Sequence, residues 1–339
     1  MPIAAQDGWF PTLQKGLCRR DDMTDRRATI WITGAAGFIG DAVARCAVSD
    51  GYDVWGVDRL PAHPDSAFVS ERCLRGNVDA GALDGLAGRS SLPAAIIHLA
   101  GGSAVAPSFA EPAADFAATV GSTVDVLDWV RGRGLRIPVV LASSAAVYGA
   151  SHKIPISETG IRAPASPYGA HKAMMEDAAF VYSRFFGIDV RVARLFSVYG
   201  AGLRKQVLWD LCQRLRLNTR VVLGGTGREM RDFIHVQDAA RAMLRLAQSG
   251  SPPPVVNVAT GLGISIAEVA ALVSHSWASV TGNSPVITFS NECRPGDPNY
   301  LVADVMGSTA LGLEPSIPLA RGIDEYVRWF LAATASSGS

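Results

Sequence analysis

TIWITGAAGFIG, Thr29–Gly40, decides the fold of this 339-residue chain. Its first five residues are β-branched or aromatic, which predicts a buried strand. Gly34, Gly37 and Gly40 follow at a spacing of three. The first permits a tight turn, the second lets backbone approach a pyrophosphate, and the third packs a helix onto the strand. Phe38 and Ile39 open that helix, whose first N–H groups face the anion. A second β-branched run ends at Asp58, where a carboxylate can accept hydrogen bonds from the hydroxyls of an adenosine ribose. It would repel a 2′-phosphate, so the expected cofactor is NAD rather than NADP.

Outward from this stretch, short β-branched runs alternate with helical patterns. Strands are expected near 29–33, 53–58, 94–100, 139–142 and 189–195, and helices near 38–49, 112–131 and 167–186. That alternation predicts an α/β fold, a Rossmann-type doubly wound parallel sheet. Beyond Gly200 the pattern is irregular, with helices near 204–216, 237–248, 265–277 and 319–333 and strands near 220–223 and 254–259. The expected division is an N-terminal tail (1–27), a Rossmann domain (28–196, with 233–260 returning to it), and a smaller mixed α/β substrate lobe (197–232 and 261–335). Met23 is a candidate start as well as Met1.

Composition narrows the function classes. Lys plus Arg and Asp plus Glu number 31 each, so no global field draws in nucleic acid or an anionic membrane. No run approaches the ~20 apolar residues of a membrane helix, and the N-terminus lacks the apolar region of a signal peptide. Cys18, Cys46, Cys73, Cys212 and Cys293 are scattered and never spaced as CxxC. That excludes a zinc knuckle, predicts no metal, and fits a reducing, cytoplasmic setting.

The chemistry is carried by Tyr168-Gly-Ala-His-Lys172, which puts a phenol and an amine at i and i+4 on one helical face. Upstream, the strand VVLASSAAVYG (139–149) delivers Ser143 and Ser144 to a sheet edge, where doubly wound folds do their chemistry. A free phenol has a pKa of ~10, so about one molecule in a thousand is ionised at pH 7, a deficit of roughly 4 kcal/mol. A fixed Lys172 cation offsets part of it. Tyr168 is then the candidate base for a substrate hydroxyl, with Ser144 orienting the reacting oxygen.

The Gly-x-x-Gly-x-x-Gly spacing, Asn77-Val78 after the third strand, and His98–Gly101 (HLAG) after the fourth together resemble the extended short-chain dehydrogenase/reductase family, in its NAD-dependent nucleotide-sugar epimerase/dehydratase branch. The resemblance covers about residues 28–333 and continues through RLFSVYG (194–200), REMRDFIHVQD (228–238), NVATGLGISIAEV (257–269) and RPGDPNYLVAD (294–304). It implies that Asn77 and Val78 hold the adenine, that Leu99, Ala100 and Gly101 line the nicotinamide ribose, and that Lys172 also holds that ribose. His98 itself reads as a packed core histidine, and Thr119 stands where the family has Asn. Arg231 and Arg294 are implied to bind the nucleotide diphosphate, while Asp232 and His235 order their loop.

Ala145 and Ala146 carry neither the acid of the family's dehydratases nor the cysteine of its 3,5-epimerases. What the resemblance leaves is hydride chemistry alone: C4 epimerisation of a nucleotide-activated sugar through a transient 4-keto intermediate, with 4-keto reduction of a 6-deoxy sugar nucleotide as the alternative and a non-catalytic NAD-binding regulator as a second. Ser197 and Arg204 are placed as in uronate epimerases, where such residues contact a carboxylate, and Leu301 matches a gate position that would admit a C2 acetamido group. The substrate is therefore expected to be a UDP-linked hexose, uronate or N-acetylhexosamine. The family also implies a homodimer, paired through the helices near 112–131 and 167–186.

Overall fold

The structure is a computed structural model that describes residues 27–61, 66, 70–150, 155–292 and 298–335. The expected tail lies, apart from Arg27, outside the described residues, as do Cys18, Cys293 and Arg294. From the N-terminus, β1 (Thr29–Thr33) leads into α1 (Phe38–Ser49), β2 (Asp53–Asp58), β3 (Cys73–Arg75), α2 (Ala80–Ala87) and β4 (Ala95–His98). Short α3 (Val105–Ala110) and α4 (Pro112–Phe116) run through one π turn, Ala117–Gly121, into α5 (Ser122–Gly132). Then come β5 (Pro138–Ser144), α6 (Pro167–Phe186), β6 (Asp189–Leu195) and β7 (Ser197–Tyr199). The rest of the chain forms α7 (Gln206–Leu217), β8 (Arg220–Leu223), β9 (Met230–His235), α8 (Val236–Gln248) and β10 (Val255–Val258). It ends in β11 (Gly263–Ser265), α9 (Ile266–Thr281), β12 (Val286–Phe289), β13 (Tyr300–Leu301), α10 (Met306–Ala310) and α11 (Leu319–Ala335).

Seven strands form one sheet in the order β10-β6-β5-β4-β1-β2-β3. Every neighbouring pair in it is parallel. Parallel strands are covered on both faces by their crossover helices, and the all-buried TIWIT of β1 is the sequence form of that burial. One face packs Val43, Ala47 and Met243 from α1 and α8; the other packs Val126, Leu127 and Met175 from α5 and α6. Strand order reverses between β1 and β4, and a doubly wound sheet opens its ligand crevice at that point.

The smaller lobe is built on β9, which pairs with β7, β11 and β13, and on the parallel pair β8–β12. Its core gathers Tyr199, Leu211, Val273, Tyr326 and Phe330 between α7, α9 and α11. The return to the main sheet starts later than the sequence suggested. Residues 233–235 stay in the lobe as the end of β9, and only α8 and β10 rejoin the large sheet. No helix among the described residues is long and apolar enough to cross a membrane, and no cluster of His, Cys, Asp and Glu there could hold a metal.

Candidate active site

The β1–α1 turn is made of close approaches. Gly34 has φ +68°, and a Cβ there would lie 2.8 Å from the Ala100 nitrogen. At Gly40 a Cβ would come within 2.2 Å of the Gly34 carbonyl, so the third glycine is required by packing. Helix α1 starts at Gly37 without a side-chain cap, which leaves its first N–H groups for an anion. Phe38 and Ile39 occupy its first turn. Asp58 ends β2, and its carboxylate is braced by Ala36 N at 3.0 Å and Leu60 N at 2.9 Å. Past β3, Asn77 is exposed and Val78 buried. Leu99 and Ala100 are tied to β1, the first by its N–H to the Thr33 carbonyl at 3.0 Å and the second by its N–H to Thr33 Oγ1 at 3.3 Å. A dinucleotide fits these residues: small side chains where backbone must approach phosphate, a free helix terminus, and a fixed carboxylate one strand away.

His98 sits beneath this crevice and not in it. Its Nδ1 is 2.7 Å from Thr33 Oγ1 and its Nε2 is 3.0 Å from Thr123 Oγ1. Burial, with Lys172 adding to it, pushes its pKa down to about 3, so the ring stays neutral. The side chains that meet it come from β1 and the start of α5. Ser122 and Thr123 return their hydroxyls to the carbonyls of Ala118 and Thr119, and Thr119 Oγ1 accepts the Gly102 N–H at 2.8 Å. A π turn inserted in an otherwise regular helix often marks a functional site, and this one aims Thr119 at the Gly101–Gly102 loop.

Ser144, Tyr168 and Lys172 are brought together at the carboxyl end of β5. Helix α6 is positioned by Pro167 at its first turn and by Ser166 Oγ, which accepts the Gly169 N–H at 3.2 Å. Gly169 lies against Ala146, where a Cβ would meet the carbonyl at 2.5 Å. The Tyr168 N–H donates to Ser108 Oγ at 3.0 Å. Burial raises the pKa of the Tyr168 phenol, opposed by its hydrogen bond with Ser144 and reinforced by the Asp115 charge. Lys172 Nζ donates to the Ala142 carbonyl at 2.8 Å and stands 6.0 Å from the Tyr168 ring centre. Burial lowers its pKa from 10.5 to about 8, while Asp115 and Glu176 oppose that fall. Burial therefore disfavours the charged form of both groups.

Several residues of this site escaped the sequence reading. Asp115 Oδ2 holds His171 Nδ1 at 2.6 Å, three residues past Tyr168. Glu176, one turn beyond Lys172, is fully buried and pairs with Arg194 at 2.7 Å while accepting Ser143 Oγ. Arg194 also donates to Tyr148 Oη at 2.9 Å, and Tyr148 donates to Asn257 Oδ1 at 2.7 Å. The available signals were a lone Asp in an alanine-rich helix and a lone Arg inside an apolar strand, because a buried charge needs a partner.

The residues expected to bind substrate are distributed through the lobe. Ser197 is half-buried in β7, and Leu301 of β13 stands opposite Arg231 of β9. Arg231 donates to the carbonyls of Pro298 at 2.7 Å and Met230 at 2.9 Å. Asp232 accepts from Thr260, Gly261 and Ala303, and His235 accepts the Gln237 N–H at the start of α8, so both order their loops. Arg204 lies over Trp209 at 5.8 Å and Trp329 at 5.9 Å. Its neighbour Lys205 instead reaches the Ser103 carbonyl at 2.6 Å.

A nucleotide-binding crevice with a Ser, Tyr and Lys at its mouth defines a Rossmann-type oxidoreductase or epimerase site. The model of the NAD dependent epimerase/dehydratase family matches residues 30–259, and the chain belongs to that family. It is an NAD-dependent enzyme. A UDP-glucose 4-epimerase from Azospirillum brasilense is 29% identical over 306 residues, covering 83% of this chain and 86% of that protein. Among solved structures, the UDP-glucose 4-epimerase of Thermotoga maritima with UDP-glucose superposes with a TM-score of 0.79 at 27% identity, covering 90% of this chain and 99% of the other. MoeE5, solved with UDP-glucuronic acid and NAD, gives 0.77 at 29% identity, covering 90% and 100%.

Proposed function

We propose that this protein interconverts C4 epimers of a nucleotide-activated sugar, a UDP-linked hexose, uronate or N-acetylhexosamine. The observation that carries the reading is Ser144, Tyr168 and Lys172 at the crevice mouth, followed by Ala145 and Ala146, which offer no further acid or base. Bound NAD supplies the acceptor and then the donor of hydride at C4. Tyr168 Oη takes the proton of the C4 hydroxyl and returns it on the other face after the 4-keto sugar has turned. Ser144 Oγ, hydrogen bonded to Tyr168, holds the reacting oxygen; Lys172, fixed on the Ala142 carbonyl, supplies positive charge.

Arg231 and Arg294 are the candidate diphosphate contacts, with Ser197, Arg204 and Leu301 selecting the C5 and C2 substituents. MoeE5 has been solved with both UDP-glucuronic acid and UDP-glucose, which supports testing acidic and neutral sugars side by side. If a uronate is preferred, Arg204→Ala should shift the ratio toward the neutral sugar; an unchanged ratio removes Arg204 from the specificity role. Asn77, Val78, Leu99, Ala100 and Gly101 are assigned to the cofactor on the same footing. A homodimer is part of the proposal, since α6 leaves Met174, Val181 and Phe185 exposed at a spacing of seven and four, an apolar stripe along one helix face.

A further inference from the structure

Lys205 is a half-buried cation held by a backbone carbonyl rather than by a carboxylate. Its Nζ donates to the Ser103 carbonyl at 2.6 Å across 102 residues of chain, and among the described residues no carboxylate lies within ion-pair distance. The backbone that presents it is strained. Gln206, the next residue, has φ +67°, a left-handed conformation that a glutamine adopts at a cost, and such outliers persist where the surroundings hold them for a purpose. Burial lowers the lysine's pKa with no opposite charge to offset it, and Lys205 in turn weakens the charge on Lys172. One buried and one half-buried ammonium group whose charges repel call for an anion between or beside them.

The loop that carries Lys205 shows where that anion lies. Gly202 rests on the ring of Phe38, the first residue of α1, so the lobe reaches over the Gly-rich turn. Ser103 follows Gly101 and Gly102, and Gly34 packs on Ala100 beside them. Lys205 thus ties this segment to the loop after β4 while Gly202, three residues before it, reaches the start of α1 after β1, and these two loops flank the point where strand order reverses. A dinucleotide crosses a doubly wound sheet at that point with its diphosphate on the helix N-terminus.

We infer that Lys205 is a clamp on the cofactor's diphosphate, supplied by the substrate lobe rather than by the dinucleotide domain. The inference rests on NAD occupying the crevice and is independent of the epimerase reading. The test is calorimetric titration of wild type and Lys205→Gln with NAD, ADP-ribose, adenosine and UDP-glucose. NAD and ADP-ribose should bind the variant about 10- to 100-fold more weakly, the worth of one charge-assisted hydrogen bond, with adenosine and UDP-glucose unchanged. Wild-type affinity for NAD should also fall more steeply with salt than that of the variant. Unchanged NAD affinity overturns the clamp. A loss confined to UDP-glucose overturns it in favour of a substrate contact, and an equal loss for adenosine overturns it in favour of a purely structural role. Should the glutamine variant fail to fold, wild-type NAD affinity that is insensitive to salt while adenosine binds equally well would overturn it alone.

Discussion

At the scale of single residues, Tyr168 and Ser144 should separate by size of effect. Tyr168→Phe removes the proton carrier and should lower kcat about a thousandfold, whereas Ser144→Ala removes one orienting hydrogen bond and should cost about 10- to 100-fold. Lys172 and His98 both make stability rise with pH, in two separate windows. Lys172 has a folded value of about 8 against an ordinary 10.5, so the unfolded chain holds more protons between the two. Its penalty is full below about 8 and is relieved as pH rises toward 10.5. For His98, at about 3 against 6.5, the stability is full above 6.5 and is lost as pH falls toward 3. Denaturant titrations across pH should show the alkaline slope vanish in Lys172→Met and the acid slope flatten in His98→Gln. The positions of the triad and the glycines were legible because each carries a spacing. Asp115, Glu176, Arg194 and Lys205 were not, because what marks them is a partner distant in sequence, such as Ser103 for Lys205.

Elements explain why those positions work. Helix α6 carries its own start and stop, Ser166 and Pro167 at one end and left-handed Gly187 at the other. Ser166→Ala should cost about 1 kcal/mol in urea unfolding and also lower kcat, because Tyr168 lies within its first turn. Ser265 caps α9 through a full capping box far from the triad, so Ser265→Ala should cost a similar amount with kcat unchanged. Equal kcat losses in the two variants would contradict this division. The buried Glu176–Arg194 pair ties α6 to β6. Glu176→Gln should lose about 3–5 kcal/mol, since it strands a buried guanidinium. Long elements such as β1, α1, α6 and β6 were read from the sequence almost to the residue, since each has a full period of buried positions. The π turn was not legible, because a single wide turn of five residues carries no residue signature of its own within the run read as one helix over 112–131. Nor were β7, β11 and β13, at two or three residues too short to show alternation.

The whole molecule is a dinucleotide sheet with a second lobe folded over its switch point, and the chain reaches that arrangement by sending β7 and β9 out of the main sheet and bringing β10 back. The fold class was legible at this scale because strand–helix alternation is a property of the entire chain. The exact return point was not, since β9 and α8 are adjacent in sequence with no turn signal between His235 and Val236. If the exposed stripe of α6 is an interface, Val181→Asp with Phe185→Asp should turn a dimer into a monomer in sedimentation equilibrium, and a wild-type monomer would remove that part of the account. The central claim meets its most direct test when purified enzyme, with no cofactor added, is incubated with UDP-, GDP-, CDP- and dTDP-sugars and followed by proton NMR and absorbance at the NADH band. The account predicts that a UDP-sugar is converted to its C4 epimer with no net NADH, and that Tyr168→Phe slows the conversion about a thousandfold. A net change in NADH, an eliminated or reduced product, or full turnover by Tyr168→Phe would contradict it.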